Sequence, residues 1–190
     1  MKAIKFIDYL NEPNGARKEQ WKQNILDALK TGPKGDETML KWANNDVDKI
    51  MKRHYDAYLV ELAVLNHLQK KNPDQIWKFI DEYADSFKLS RKVDNEPDLV
   101  NNAGVTIEVK NKKIYFHDKC KKVYFDSFWK TVELAWKRQF HDADYVIIYD
   151  PNKLVAGILS REQFIKTAVK ETKENTITWI VELPGLYELN

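Results

Sequence analysis

One stretch of this chain admits few structures: Pro97-Asp98-Leu99-Val100-Asn101-Asn102-Ala103-Gly104-Val105-Thr106-Ile107-Glu108-Val109-Lys110. From Val105 to Val109 the odd positions are β-branched and the even positions polar. This is the period-two signature of a strand buried on one side. Val105, Ile107 and Val109 then point to one face, and Thr106, Glu108 and Lys110 to the other. Asp98-Leu99-Val100 reads as a second short strand, and the Asn-Asn-Ala-Gly between them is turn chemistry. Loop length decides which residues meet. A three-residue loop of Asn102, Ala103 and Gly104 matches a type I turn followed by a left-handed glycine. It opposes Asn101 to Val105, Val100 to Thr106 and Asp98 to Glu108, with Cα atoms about 4.5–5.5 Å apart. A four-residue loop would send Asp98 and Glu108 to opposite faces. The shorter loop is preferred because it puts Gly104 where positive φ is required.

Like charges directly opposed in a ladder are destabilising, so the Asp98–Glu108 pair calls for a partner. Hard divalent cations take oxygen ligands, and Mg²⁺ is commonly held by one or two carboxylates together with water and substrate phosphates. Lys110 stands just beyond the pair.

These residues resemble the PD-(D/E)XK nuclease family, with its restriction-endonuclease-like fold. Pro97-Asp98 matches the family's acidic residue on one strand, and Glu108-Val109-Lys110 its acidic-x-Lys on the next. The spacing and the Asn-Ala-Gly turn look most like blunt-cutting type II restriction endonucleases. The resemblance implies that Asp98 and Glu108 ligate Mg²⁺, that the Val109 backbone carbonyl adds a ligand, and that Lys110 orients or polarises the attacking water. It also implies products with 5′-phosphate and 3′-hydroxyl ends. Glu171-Thr172-Lys173 matches the triplet too, but reads as a polar helix end or loop.

The surrounding order of elements extends the match. Tyr55 to Lys71 is strongly helical, with Tyr55, Tyr58, Leu59, Leu62, Leu65 and Leu68 recurring at three- and four-residue spacing. Glu61 lies beside that stripe. It reads either as a metal carboxylate, direct or one step removed, or as an edge glutamate paired with a lysine. After the hairpin, Ile114–Phe116 and Val123–Phe125 read as strands. Asp126 or Ser127 caps a helix running to about Phe140. Tyr145–Tyr149 and Leu154–Leu159 read as strands, and Ser160-Arg161-Glu162-Gln163 opens a helix to about Lys170 with a capping box. Thr176 to Leu183 is a last strand before Pro184-Gly185. Upstream, Lys2–Leu10 reads as a short strand, and Ala16–Lys30 and Glu37–Met51 as helices. Pro73–Phe87 reads as a helix with Ile76, Phe79, Ile80 and Tyr83 as its stripe. The predicted class is mixed α/β (α+β): a restriction-endonuclease-like core with a central mixed sheet flanked by helices. The organisation predicted is a single domain over 1–190, in which 1–52 form a helical dimer or DNA-contacting region and 53–190 the catalytic core.

Composition narrows the partners. A hydrophobic fraction of 43% with six tryptophans argues against disorder. No apolar run spans a membrane, and the N-terminus lacks a signal-peptide core. The single cysteine, Cys120, forms no intrachain disulfide and fits a reducing cytoplasm. His54, His67, His117 and His141 show no recognised ligand spacing and read as solvated or core residues, with a local acid–base role for any one of them as the alternative. Net charge is only +2, but Lys112, Lys113, Lys119, Lys121 and Lys122 crowd behind Lys110 among aromatic residues. They suit contacts to DNA phosphates, or a charged edge that discourages strand aggregation.

The function expected is that of a Mg²⁺-dependent endonuclease on double-stranded DNA, without organic cofactor, working as a homodimer on a two-fold site. The alternatives are a phage, recombination, repair or toxin nuclease of the same fold, or a non-catalytic DNA-binding or immunity module.

Overall fold

In the computed structural model, residues 2–90, 96–117, 120–173 and 176–188 are described, with backbone alone at 34, 35, 117 and 173. The chain opens with β1 (Ala3–Lys5), α1 (Phe6–Asn11), α2 (Ala16–Thr31), α3 (Lys34–Ala43) and α4 (Val47–Lys71). Next come β2 (Trp77–Phe79), β3 (Ser86–Lys88), β4 (Leu99–Asn101), β5 (Thr106–Asn111), β6 (Tyr115–His117) and β7 (Cys120–Ser127). Then follow α5 (Val132–Gln139), β8 (Tyr145–Asp150), β9 (Val155–Ser160), α6 (Arg161–Thr167), β10 (Val169–Lys173), β11 (Thr176–Glu182) and β12 (Tyr187–Glu188). These elements fall into two units: Met1–Leu59 with Asp81–Asp94, and Val60–Ile80 with Asn95–Asn190. The division therefore lies inside α4, a few residues after the boundary at 52/53 read from the sequence.

The first unit packs helices and the β1–β3 ladder around Ile25, Leu29, Ile50, Met51 and Tyr9. The helix expected over Glu37–Met51 is broken in two. Asn44 (φ 55°) and Asn45 (φ 58°) end α3 in the left-handed conformation that asparagine tolerates. Asp46 then starts α4 by accepting a hydrogen bond from the Lys49 N–H at 3.2 Å. Lys18 is buried, and its ammonium donates to the Tyr9 carbonyl at 2.6 Å.

The second unit is built on a mixed six-stranded sheet, in the order β12-β9-β8-β5-β4-β2. Its β5 and β8 are parallel, and the other neighbours are antiparallel. A parallel pair needs a long crossover, here supplied by β6, β7 and α5. One face carries Leu99, Ile107, Val109 and Ile147 against Val60 and Val64 of α4. The other carries Val146, Ile148 and Leu159 against Trp136, Phe140 and Phe164, and against Val123, Phe125, Trp179 and Val181 of a second sheet. That sheet is four-stranded, in the order β10-β11-β7-β6. Mixed α/β architecture with helices flanking a mixed sheet is therefore what the chain adopts.

Further local expectations are corrected. Lys2–Leu10 is strand only over Ala3–Lys5 and is helical from Phe6. Pro73–Phe87 is no helix. Trp77, Lys78 and Phe79 pair with Asn101, Val100 and Leu99, making β2 an edge of the main sheet, while β3 pairs with β1. The helical spacing of Ile76, Phe79, Ile80 and Tyr83 loses to this long-range pairing, which leaves Ile76 largely exposed. Glu171–Lys173 lies in β10, opposite Thr176–Thr178 of β11. The cap of α5 is Thr131, whose side chain accepts from the Leu134 N–H, because β7 extends through Ser127. The Ser160/Gln163 capping box is present as read.

One cluster in the core of the second unit is aromatic. Trp136, Phe140 and Phe164 are fully buried, with ring centroids 4.7 Å (Trp136–Phe140), 5.4 Å (Phe140–Phe164) and 5.2 Å (Trp136–Phe164) apart. Such pairs contribute about 0.5–1.5 kcal/mol each beyond the area they bury. The Trp136 indole N–H also donates to the Ala143 carbonyl at 2.9 Å. Trp136→Ala is predicted to destabilise the fold by about 3–5 kcal/mol, read as a lower urea midpoint. A loss under about 1 kcal/mol would contradict this account of the core.

Candidate metal centre at the hairpin

The hairpin takes the register that opposes the two carboxylates. Leu99 pairs with Ile107 and Val100 with Thr106, and the Asn101 N–H donates to the Val105 carbonyl at 3.0 Å. One step along the same ladder sets Asp98 opposite Glu108. Gly104 has φ +81°, the left-handed position the three-residue loop demands. The turn is braced from within. Buried Asn101 accepts with its side-chain oxygen from the N–H groups of Ala103 (3.0 Å) and Val105 (2.9 Å). The base of β5 is clamped to β8: Asp144 Oδ2 accepts from the Thr106 N–H (2.8 Å) and hydroxyl (3.0 Å), and the Asp144 N–H donates to Thr106 Oγ1 (3.1 Å).

Alternation then separates the faces. Ile107 and Val109 go to the α4 side, and Glu108 and Lys110 go to the side of their β8 partners Val146 and Ile148. Asp98, Glu108 and Lys110 therefore gather on one side of the sheet. Glu108 is only 2% exposed. Its Oε1 is in ion-pair contact with Lys110 Nζ. Its Oε2 is buried and receives no hydrogen bond; His141 Nδ1 lies 3.3 Å away, an ion-pair contact without hydrogen-bond geometry. Asp98 Oδ2 accepts from the Val109 N–H at 2.7 Å. Burial, and then the charge of Glu108, push the Asp98 carboxyl up to about 7, against the opposing pull of the Val109 N–H, Lys110 and His141. Without a cation the pair thus shares its site by keeping a proton.

Other residues named from the sequence are placed less centrally. Glu61 is half-buried on α4, which packs through Val60 and Val64 against the opposite face of the sheet. Lys112 turns inward: its ammonium donates to the Tyr124 carbonyl at 3.2 Å and sits 5.1 Å from the Phe125 ring centre. Burial lowers its pKa, with Lys110 acting in the same sense and Asp126 against it. Lys113 is exposed over the Tyr115 ring at 4.8 Å, and Lys121 and Lys122 are half-buried on β7. Lys119 lies outside the described residues. A cleft of about 550 Å³ opens beside the hairpin tip between Gly104, Asp144, Tyr145 and Arg161, and none of the triad lines it.

Sequence reading missed His141. Its ring reaches Glu108 because β8 runs parallel to β5, bringing the α5–β8 loop alongside the carboxylates. Only the topology reveals that proximity. Among the described residues no cluster of three or more His, Cys, Asp or Glu side chains is spaced to hold a metal. The protein offers a carboxylate pair, and further ligands to a hard cation would have to be water or substrate oxygens.

No protein-family model matches the chain, and no curated protein and no solved structure matches it significantly. No helix among the described residues is long and apolar enough to cross a membrane.

The electrostatics set the sign of a pH effect. Unfolded, Asp98 titrates near ~3.9. Folded, it holds its proton up to about 7. Stability therefore falls as pH rises between those values, because the folded state binds the extra proton. His141 acts in the same sense. Its contact with the Glu108 carboxylate raises its pKa, so its stabilisation is present below the unfolded value and lost as pH passes the folded one. The metal-free protein is predicted to melt lower at about pH 8 than at about pH 5. Asp98→Asn should flatten that slope and melt about 2–4 °C above wild type at the higher pH. Parallel melting curves for the two proteins would refute this.

Proposed function

We propose that the chain is a Mg²⁺-dependent endodeoxyribonuclease of the PD-(D/E)XK type that cleaves double-stranded DNA, and within that class a type II restriction endonuclease acting as a cytoplasmic homodimer. The observation that carries the reading is the buried Glu108 carboxylate, opposed by Asp98, flanked by Lys110, and retaining one oxygen without a hydrogen bond. A buried polar atom left unpaired is costly, and a divalent cation between the carboxylates removes both that cost and their repulsion. The donor set, all oxygen and of two negative charges, fits Mg²⁺. Asp98 and Glu108 would hold the ion, with the Val109 carbonyl as the further ligand the resemblance implies.

When bound, the cation supplies positive charge to the phosphoryl oxygens and the leaving 3′ oxygen. The chain does the rest. Lys110 Nζ donates to the attacking water and holds it in line with the phosphorus. Its contact with Glu108 keeps the ammonium at the carboxylate pair until substrate arrives. The rigid hairpin fixes these groups before binding, which is where positional catalysis originates. Lys113, Lys121 and Lys122 supply sequence-independent attraction to the DNA backbone.

Asp98→Ala, Glu108→Ala and Lys110→Ala are each predicted to lower cleavage of supercoiled plasmid in Mg²⁺ by at least about 10²–10³-fold, the range seen when one electrostatic catalytic group is removed. EDTA should abolish it in wild type. Full activity in any one of the three variants overturns the site. Discrete fragments from unmethylated phage DNA would support a restriction enzyme; a smear with preference for branched DNA would support a repair or recombination nuclease instead.

A further inference from the structure

The loop from α5 into β8 is built in an unfavourable conformation. His141 has φ 52° and Asp142 φ 59°, so two successive residues with Cβ atoms occupy the left-handed region. Left-handed φ is disfavoured for residues with a Cβ, less so for histidine and aspartate than for most, and glycine adopts it freely. The loop cannot relax easily, because both ends are fixed in the core. Phe140 is fully buried and its N–H donates to the Trp136 carbonyl at 2.9 Å. The Ala143 N–H donates to the Phe140 carbonyl at 2.9 Å, and the Trp136 indole donates to the Ala143 carbonyl. Asp142 has a partner in Arg161 at 3.5 Å. The conformation delivers the imidazole of His141 to the carboxylates.

The placement of that ring is specific. Nδ1 is 2.9 Å from the Glu96 carbonyl oxygen and 3.3 Å from Glu108 Oε2. A carbonyl can only accept, so Nδ1 carries a proton whatever the charge of the ring. The same N–H therefore faces the segment leading into Asp98 and the outer oxygen of Glu108. Lys110 pairs with Oε1 while the His141 N–H lies 3.3 Å from Oε2 without hydrogen-bond geometry, so the carboxylate is flanked on both sides and Oε2 keeps its acceptor capacity.

We propose that His141 is a positioning residue: strained into the left-handed region, it locks the rotation of the Glu108 carboxylate and ties that strand to the segment entering Asp98, presetting the pair for its cation. This rests on the nuclease reading above. Groups that orient a metal-ligating carboxylate typically change affinity or activity by about 10–100-fold when removed. A histidine that merely ends a helix, favourable to its dipole, would have no such effect.

Two substitutions separate these roles. Glycine relieves the strain and removes the ring. Asparagine tolerates the left-handed region and places its side-chain N–H near the position of Nδ1. In Mg²⁺-dependent plasmid cleavage, His141→Gly is expected to lower kcat about 10–100-fold, with the KM for DNA nearly unchanged. Its melting temperature should stay close to wild type, since released strain offsets the lost contact. His141→Asn is expected to recover most of the loss. Nitrogen-detected NMR of the neutral ring should show the Nδ1–H tautomer. Wild-type kcat in His141→Gly, an equal fall in His141→Asn, or an Nε2–H tautomer overturns the proposal while leaving the nuclease reading intact. Absence of cleavage in wild type, with the Nδ1–H tautomer present, overturns the nuclease reading and with it this role for the contact.

Discussion

The central constraint is a repulsion. Asp98 and Glu108 are driven together by a hairpin register that the neighbouring residues enforce: Gly104 at positive φ, Asn101 bracing the turn, and Leu99, Ile107 and Val109 buried against α4. Slipping the register by one residue would relieve the carboxylates but turn that apolar set to the wrong face. Keeping three large side chains buried contributes about 1.5–3 kcal/mol each, and protonation of Asp98 removes the like-charge repulsion that opposes it. The fold therefore imposes the pair, and protonation of Asp98 absorbs the charge.

Other elements of the second unit pack around this pair. Parallel pairing of β5 with β8 buries the stem of Glu108 beside Val146 and brings His141 to its outer oxygen. The aromatic cluster of Trp136, Phe140 and Phe164 fixes the end of α5, and so the start of the loop that carries His141. Stability and the candidate chemistry are thus linked through one segment.

The hairpin was legible because its signals are local. Period-two alternation, a glycine at the third loop position and the asparagine-rich turn all act within fourteen residues, and the register follows from them alone. The Ser160/Gln163 cap and the strands Tyr145–Asp150 and Thr176–Glu182 were legible for the same reason. What was not legible depends on distant partners. Trp77–Phe79 has helical spacing and becomes a strand because β4 offers an edge to pair with. Lys112 looks like a surface lysine until Tyr124 and Phe125 fold over it. His141 is four residues from any regular strand and gains meaning only when β8 is laid parallel to β5. Glu61 was read from its place beside a helical stripe either as a metal carboxylate or as an edge glutamate paired with a lysine, and spacing along one helix cannot choose between them.

The most direct test is a calorimetric titration of the protein with Mn²⁺, without DNA, at about pH 6.5 in buffers of different ionisation enthalpy. Because Asp98 keeps its proton near that pH, binding a cation between the carboxylates must expel it. A saturable site whose heat changes with the buffer, and which disappears in Asp98→Asn, is the result the account predicts. No binding, or binding that releases no proton and survives that substitution, would contradict it.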